Sequence, residues 1–195
     1  MGMMARKKSA KKELILTTAA AMFRERGFAA SSMRDLAEKI GIEAASLYNH
    51  IQSKAQILEE IVDGVSEECK AHLDNLEKSN STSLEKIESL IRFHTKMMMN
   101  RFEEYSVMVS QWMHLDGDKL VHFATNRRDY VKRMEAIVEA GIQKGELKSL
   151  MPYVVVLNIL SSVRGLEFWQ RSAKTHTAQE MEDNMVIHLI GGIKK

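Results

Sequence analysis

Residues 41–54, GIEAASLYNHIQSK, hold the pattern on which the interpretation of the whole chain depends. Small residues at positions 44–46 are followed, after a leucine, by three adjacent polar side chains, Tyr48, Asn49 and His50. A buried helix would not carry three polar groups in succession, and an ordinary solvated helix would be richer in Lys and Glu. The pattern predicts a short helix whose polar face meets a specific partner.

The residues before this stretch predict two further helices. The first covers residues 11–26 and ends at Gly27, a residue suited to a left-handed C-terminal position. Its predicted apolar stripe consists of Leu14, Thr18, Ala21, Met22 and Phe23. The second helix covers residues 33–40, with Ser31 or Ser32 as its N-cap and Gly41 at its end.

The spacing of these helices predicts a DNA-binding motif. A third helix is expected over residues 44–50, and Ser53 is a suitable N-cap for a long helix from Lys54. Two short helices joined by a glycine-containing turn form a helix-turn-helix unit, whose second helix can enter the major groove. Residues 1–54 hold ten Lys and Arg against five Asp and Glu, whereas the remainder holds eighteen against twenty-one. The basic end and the motif therefore coincide.

The rest of the chain predicts helices and no strands. After a polar loop at residues 78–83, helices are expected over residues 84–100, 104–115, 119–144, 153–171 and 178–193. A single proline among 195 residues also favours long helices. The predicted fold class is all-α with about nine helices. An N-terminal three-helix bundle (residues 1–55) is joined through a long helix to a C-terminal ligand-binding and dimerisation bundle (residues 56–195).

The composition predicts a cytoplasmic protein. The single cysteine, Cys69, cannot form an internal disulfide, which is typical of a reducing compartment. The basic N-terminus is not followed by the apolar segment of a signal peptide. The longest apolar run, at residues 154–160, is far shorter than the roughly 20 residues that span a bilayer. No membrane partner is therefore expected.

The N-terminal sequence resembles the TetR family of bacterial transcriptional regulators over about residues 11–65. The resemblance is carried by AAAMFRERGF (residues 19–28), SSMRDLAEKIGI (residues 31–42) and SLYNHIQSK (residues 46–54). Within the last of these segments the chain is especially similar to the tetracycline repressor. The C-terminal bundle resembles the family only in general layout.

This resemblance implies which residues meet DNA. In the family, one set of positions usually binds the phosphates of DNA, and in this chain these positions correspond to Ser32, Arg34, Ser46, Tyr48 and Lys54. Positions that meet base edges are occupied by Ala44, Ala45, Asn49 and His50. Hydroxyl and ammonium groups suit phosphate oxygens, an Asn amide can pair with adenine, and alanine methyls can touch thymine methyls.

Three departures from the tetracycline repressor indicate a different operator. Met33 stands where that repressor has a base-reading arginine, Ala44 replaces a glutamine, and Asn49 replaces a tryptophan. Each change removes or alters a base contact, so the operator sequence is not inherited with the motif.

The C-terminal helices carry candidates for an apolar ligand site. These are Phe93, Met97, Met108, Trp112, Tyr130, Met134 and Trp169. Methionine-rich surfaces adapt to varied apolar ligands, but ordinary core filling explains any single one of these residues equally well.

Neither metal nor catalytic chemistry is predicted. Cys69 and His72 lie one turn apart on a helix, but no second ligand pair with zinc spacing accompanies them. No glycine-rich phosphate loop and no nucleophile motif occurs in the sequence. We therefore expect no metal, no cofactor and no enzymatic activity.

The last helix is predicted to need a partner. Thr177 and Glu180 fit a capping box at its start, and Met181, Met185 and Leu189 share one stripe. The resemblance implies that the last two long helices form a four-helix dimer interface. The alternative is that the final helix packs on its own monomer, and the two are compatible.

Together these features predict a ligand-responsive transcriptional regulator, acting as a repressor. It would bind a (pseudo)palindromic operator as a homodimer and be released by a small, largely apolar effector such as a lipid, an acyl thioester or a drug-like molecule. One alternative is a helical ligand-binding protein or enzyme that has lost sequence-specific DNA binding, because no Arg or Lys lies between Ile42 and Gln52. A sequence-indifferent nucleic-acid binder is a third possibility.

Overall fold

A computed structural model describes residues 2–172 and 175–195 of the chain. Over these residues it contains nine α-helices and one short 3₁₀-helix. They are α1 Gly2–Arg26, α2 Met33–Ile40, α3 Ala44–Tyr48, α4 Lys54–Lys78, α5 Ser83–Asn100, α6 Phe102–Gln111, the 3₁₀-helix Trp112–His114, α7 Gly117–Gln143, α8 Pro152–Arg171 and α9 Ala178–Ile193. The prediction of an all-α fold is confirmed.

Some helix ends differ from the sequence-based expectation. Helix α1 begins at Gly2 instead of residue 11, and α3 ends at Tyr48 instead of residue 50. Helix α6 gives way to the 3₁₀-helix after Gln111, where a continuous α-helix to residue 115 was expected. At the end of α3 the Leu47 carbonyl accepts from the His50 N–H at 2.9 Å, and this three-residue spacing tightens the chain into a turn.

The predicted caps are present. Ser32 accepts a hydrogen bond from the Asp35 N–H at the start of α2, and Thr177 does the same with Glu180 at the start of α9. In both cases the carboxylate binds the N-cap backbone N–H in return, which completes a capping box. Gly27 and Gly41 adopt the left-handed conformation that ends α1 and α2, with φ of 82° and 75°.

The chain divides into two compact units. The first consists of residues 1–67 and 103–123, and the second of residues 68–102 and 124–195. Helices α4 and α7 each contribute to both units. The helix-turn-helix region thus shares its unit with α6, the 3₁₀-helix and the start of α7.

The buried residues of the first unit correct the apolar stripe predicted for α1. The buried side chains are Ile15, Ala19, Ala20, Met22 and Phe23, whereas Leu14 is 54% exposed. These residues pack against Leu36 of α2, Leu47 of α3 and Leu58 of α4. The stripe is shifted by one position because Ile15, and not Leu14, lies four residues before Ala19 on the inward face.

The second unit is held by a separate apolar core and by a charge network around the buried Glu182. Helix α5 packs against both α8 and α9. Arg92 of α5 donates to Glu182 and Asp183 of α9 at 3.0 and 2.9 Å, and the Glu182 side chain is almost fully buried. These bonds raise the pKa of Arg92, and one face of α9 is thereby fixed to α5.

Candidate nucleic-acid interface

Helix α3 is anchored by the residues at its two ends. Leu47 is fully buried and Ile51 is 1% exposed, and both belong to the core of the first unit. Before α3, Ile42 donates its backbone N–H to Ala37 of α2 at 3.0 Å. Because the helix is held from one side only, its opposite side remains available to a partner.

The outward face of α3 carries most of the residues predicted to touch DNA. Ala44, Ala45 and Asn49 are exposed, Tyr48 is 51% exposed, and Ser46 is half-buried. The small residues at the start of the helix allow close approach of a groove wall, and the phenol and the amide supply hydrogen-bonding groups. The structure therefore brings these five residues together on α3 and its C-cap, Asn49.

Two further predicted residues lie at the start of α2. Ser32 and Arg34 are both exposed. The Ser32 backbone N–H donates to the Asp35 carboxylate at 3.2 Å, and the Ser32 hydroxyl oxygen accepts from the Asp35 N–H at 3.1 Å. The same hydroxyl is the main cause of the lowered pKa of Asp35, with the nearby charge of Arg34 as a minor contributor.

His50 occupies a more enclosed position than the other predicted base-contacting residues. Its ring is half-buried, and its Nδ1 atom is buried without a hydrogen-bond partner among the residues described. The tautomer that carries its proton on Nε2 avoids burying an unpaired N–H group. In that form His50 presents Nε2 as a donor, which suits an acceptor on DNA.

Lys54 has a different environment from the one expected of a phosphate-binding lysine. Its ammonium group donates to the carbonyl oxygens of Phe28 and Ser31, each at 2.8 Å, and to that of Ala29 at 3.4 Å. The same nitrogen lies 4.3 Å from the centroid of the Phe28 ring. These carbonyls can use all three donors of the ammonium group, so the phosphate contact remains a prediction that the geometry does not favour.

The seven candidate ligand-binding residues are divided between the two units. Met108 and Trp112 pack against the core of the first unit, where Trp112 lies 5.5 Å from Phe123 between ring centroids. The other five lie in the second unit. They are Phe93, Met97, Tyr130, Met134 and Trp169.

A partly buried polar pair that the sequence did not predict involves one of these five residues, Tyr130, and the neighbour of another, Phe93. His94 is 2% exposed, and its Nε2 shares a 2.8 Å hydrogen bond with the Tyr130 hydroxyl. Burial, with a smaller contribution from His72, lowers the pKa of His94 to about 4, so the ring is neutral at pH 7. A histidine on the apolar stripe of α5 was the available signal.

Two kinds of feature were searched for among the described residues. Within residues 2–172 and 175–195, no helix has the length and apolar character needed to cross a membrane. No cluster of three or more potential metal ligands occurs in the same part of the chain. Cys69 is buried, and burial raises the pKa of its thiol to about 12, so it is a poor ligand and nucleophile.

Comparison with known families assigns the chain. The model of the N-terminal region of bacterial regulatory proteins of the tetR family matches residues 15–61. The model of the tetracyclin repressor-like C-terminal domain matches residues 80–193, which is more than half of the chain. The chain belongs to the tetR family. This tetR-family protein is therefore a transcriptional regulator and not an enzyme.

Individual relatives agree with this assignment. The regulator is 24% identical over 183 residues to the HTH-type transcriptional repressor KstR2 of Mycobacterium tuberculosis strain H37Rv, covering 93% of this chain and 92% of that repressor. The solved structure of the ketosteroid transcriptional regulator KstR2 matches with a TM-score of 0.86 at 24% identity over 95% of each chain. AibR, solved with isovaleryl coenzyme A and operator DNA, gives a TM-score of 0.77 at 22% identity, covering 92% of this chain and 97% of AibR.

Proposed function

We propose that this tetR-family regulator is a repressor that binds a (pseudo)palindromic operator as a dimer. The observation that carries the proposal is the outward face of α3, with Tyr48 and Asn49 exposed beside Ala44 and Ala45. Each protomer places this helix in one major groove, and the two half-sites lie about 34–36 Å apart or a multiple of that distance.

The residues of the interface divide by the part of DNA they meet. Ser32, Arg34, Ser46 and Tyr48 bind phosphate oxygens and fix the register of the helix. Asn49 and His50 meet base edges, while the methyl groups of the two alanines contact thymine methyls. Since α3 carries no Arg or Lys, most of the specificity comes from the Asn49 amide and from shape.

Sequence selection with the purified regulator tests this assignment. The wild type is expected to enrich a palindromic consensus from a random duplex library. Asn49→Ala is expected to lose preference at one base pair of each half-site, at a cost of about 1–3 kcal/mol per site for the preferred base. The matched control is Asn75→Ala, which changes an exposed asparagine of α4 in the second unit. An unchanged consensus for Asn49→Ala would remove this residue from base reading, and no consensus for the wild type would refute sequence-specific binding.

We propose that the dimer forms through the outward faces of α8 and α9. Helix α8 exposes an apolar stripe that includes Val154, Leu157 and Phe168, exposed by 42%, 48% and 80%, and α9 exposes Ile187 by 69%. A Cβ at Gly165 or Gly191 would meet no atom within 4 Å, so the helix backbones are open to close approach. Two such faces from two protomers form a four-helix packing with twofold symmetry.

The side chains on the inward face of α9 refine this proposal. Met185 and Leu189, which were predicted to need a partner, pack against the core of their own unit together with Val186. The exposed residues of α9, including Ile187, lie on the opposite side. The same helix thus closes its own unit with one face and is available to a second protomer with the other.

We propose that a largely apolar effector releases the regulator from DNA by binding in the second unit. The five candidate residues there are apolar or aromatic, and the neutral His94–Tyr130 pair supplies a polar contact for an oxygen-bearing ligand. The hydroxyl of Thr95 is buried with no hydrogen-bond partner found in the described chain. The name of KstR2 refers to ketosteroids and AibR was solved with isovaleryl coenzyme A, and both the steroid skeleton and the isovaleryl group are apolar, which supports an effector with a largely apolar part.

Thermodynamic linkage makes the effector proposal testable. If effector and DNA favour different conformations, operator DNA weakens effector binding by the same factor as effector weakens DNA binding. Isovaleryl coenzyme A and a steroid ketone are suitable first probes, measured by calorimetry with and without operator duplex. Equal affinity in both conditions for a compound that binds the second unit would contradict release by that compound.

A further inference from the structure

The turn between α1 and α2 is held by side chains from two distant segments of the first unit. Phe28 lies in this turn, and its backbone N–H donates to the Gln111 side-chain oxygen at 3.0 Å. Its carbonyl accepts from the Lys54 ammonium at 2.8 Å. Both polar groups of a single turn residue are therefore bound by side chains that stand 83 and 26 residues later.

The Phe28 ring also has contacts with side chains from other segments. It stacks on His114 with centroids 5.3 Å apart and an interplanar angle of 26°, and it meets Phe23 of α1 edge-on at 5.2 Å. The Lys54 ammonium lies over the same ring. Side chains from the end of α6, from the 3₁₀-helix and from the start of α4 therefore all contact Phe28. We call these four residues, Phe28, Lys54, Gln111 and His114, the Phe28 junction.

The junction lies directly before the DNA-binding motif. Lys54 also binds the carbonyl of Ser31, the residue before the N-cap of α2, and the Ser31 hydroxyl donates to the Gly27 carbonyl at 2.9 Å. Rotation of the backbone at residues 28–31 would change the direction of α2. Because α2 packs on α3, it would also change the direction of the outward face of α3. The junction thus lies where it can set the direction in which α3 is presented.

Gln111 and His114 are supplied by a segment that the sequence assigns to the regulatory part of the protein. The match to the family's C-terminal domain covers residues 80–193, yet residues 103–123 form one compact unit with the helix-turn-helix region. The chain is also irregular at this point, because α6 ends at Gln111 and a 3₁₀-helix follows. A change in this short segment would alter the hydrogen bond to Phe28 directly.

We propose that Gln111 and Lys54 are positioning residues for operator recognition, which act through the turn at residues 28–31 without touching DNA. Gln111 fixes the turn from the regulatory segment, and Lys54 fixes it from the start of α4. This inference rests on the proposed DNA binding. It assigns Lys54 a role in orienting the motif in place of the expected phosphate contact.

Operator affinity of Gln111 variants tests the proposal. Gln111→Met keeps the length of the side chain but removes the acceptor for the Phe28 N–H. Well below its melting temperature, this variant is expected to bind the selected operator duplex about 3- to 10-fold more weakly, the loss equivalent to one hydrogen bond. The slope of log affinity against log salt should stay unchanged because no phosphate contact is lost. Amide exchange at Phe28 should become faster.

Two controls separate positioning from general stability. Gln111→Glu offers a carboxylate oxygen as acceptor in place of the amide oxygen and is expected to keep most of the affinity that Gln111→Met loses. Gln143→Met makes the same substitution at an exposed site of the second unit and should bind operator like the wild type. If Gln111→Met melts at a lower temperature but, while folded, binds operator with wild-type affinity, the positioning role is overturned.

The salt dependence of a Lys54 variant separates the two roles of this residue. Lys54→Met is expected to weaken operator binding more than Gln111→Met, with the wild-type salt slope retained. A slope reduced by about one unit would identify a direct phosphate contact and overturn the positioning role. Because both side chains hold Phe28, the losses of the two single variants should not add in the double variant. Failure of the wild type itself to select an operator would refute the proposed function and is distinct from these outcomes.

Discussion

Replacing Leu157 with Glu is expected to yield a folded monomer that binds the palindromic operator about 10²- to 10⁴-fold more weakly than the wild type. Leu157 is 48% exposed on the outward stripe of α8, so a charged side chain is tolerated in an isolated protomer. In a dimer two such residues would be buried in a helix–helix interface, where unpaired carboxylates are strongly unfavourable. Loss of the dimer removes the high effective concentration of the second recognition helix.

Sedimentation equilibrium and operator titration measure the two parts of this prediction. The variant should sediment with a mass near 22.2 kDa, that of one chain. On a duplex with a single half-site, the wild type and the variant should bind with similar affinity, because only one α3 helix engages the DNA. The matched control is Val121→Glu on α7, which places the same charge at a 65% exposed valine of the first unit. A Leu157→Glu protein that remains dimeric would refute the proposed interface.

The helix-turn-helix geometry could be predicted from sequence because its signals are local. Small residues before a polar run, glycines at helix ends and a capping serine all lie within about 25 residues, and their geometry follows from short-range backbone rules. The structure confirms the end of α2 at Gly41 and the capping role of Ser32. The stripe of α1 was missed by one position, since apolar residues are frequent enough there to fit two neighbouring registers.

The role of Lys54 could not be predicted because it depends on the conformation of a distant turn. Its acceptors are backbone carbonyls at residues 28, 29 and 31, and carbonyls leave no mark in a sequence. The contact of Gln111 could not be predicted for the same reason, since its partner is the backbone N–H of Phe28. Contacts from side chain to backbone across tens of residues require the fold.

The predicted ligand-binding set shows a second limit of sequence patterns. Periodicity places Met108 and Trp112 on the inward face of a helix but does not say which core that face joins. The structure assigns α6 to the unit of the helix-turn-helix region, so these two residues lie apart from the other five candidates. Helix α9 shows the same limit, because the sequence does not say which of its apolar residues are buried in their own unit, such as Val186, and which are exposed, such as Ile187.

The regulator is expected to lose about 2.5 kcal/mol of stability between pH 7 and pH 4.5 through His94 alone. Burial lowers the pKa of this histidine to about 4 in the folded protein, against an ordinary value near 6.5 in the unfolded chain. Between these two values the unfolded state binds a proton that the folded state does not. The contribution is therefore fully present above about pH 6.5 and falls as the pH drops towards 4.

The variant His94→Gln isolates this effect from that of the carboxylates. A glutamine can still share a hydrogen bond with the Tyr130 hydroxyl, but it does not titrate. Urea unfolding at equal protein concentration should give a stability curve that is flatter than that of the wild type by about 2.5 kcal/mol over this pH interval. The control His176→Gln changes an exposed histidine and should follow the wild-type curve. Parallel curves for wild type and His94→Gln would show that the buried ring titrates at its ordinary pKa. In that case the neutral His94–Tyr130 pair would no longer support the polar contact proposed for the effector.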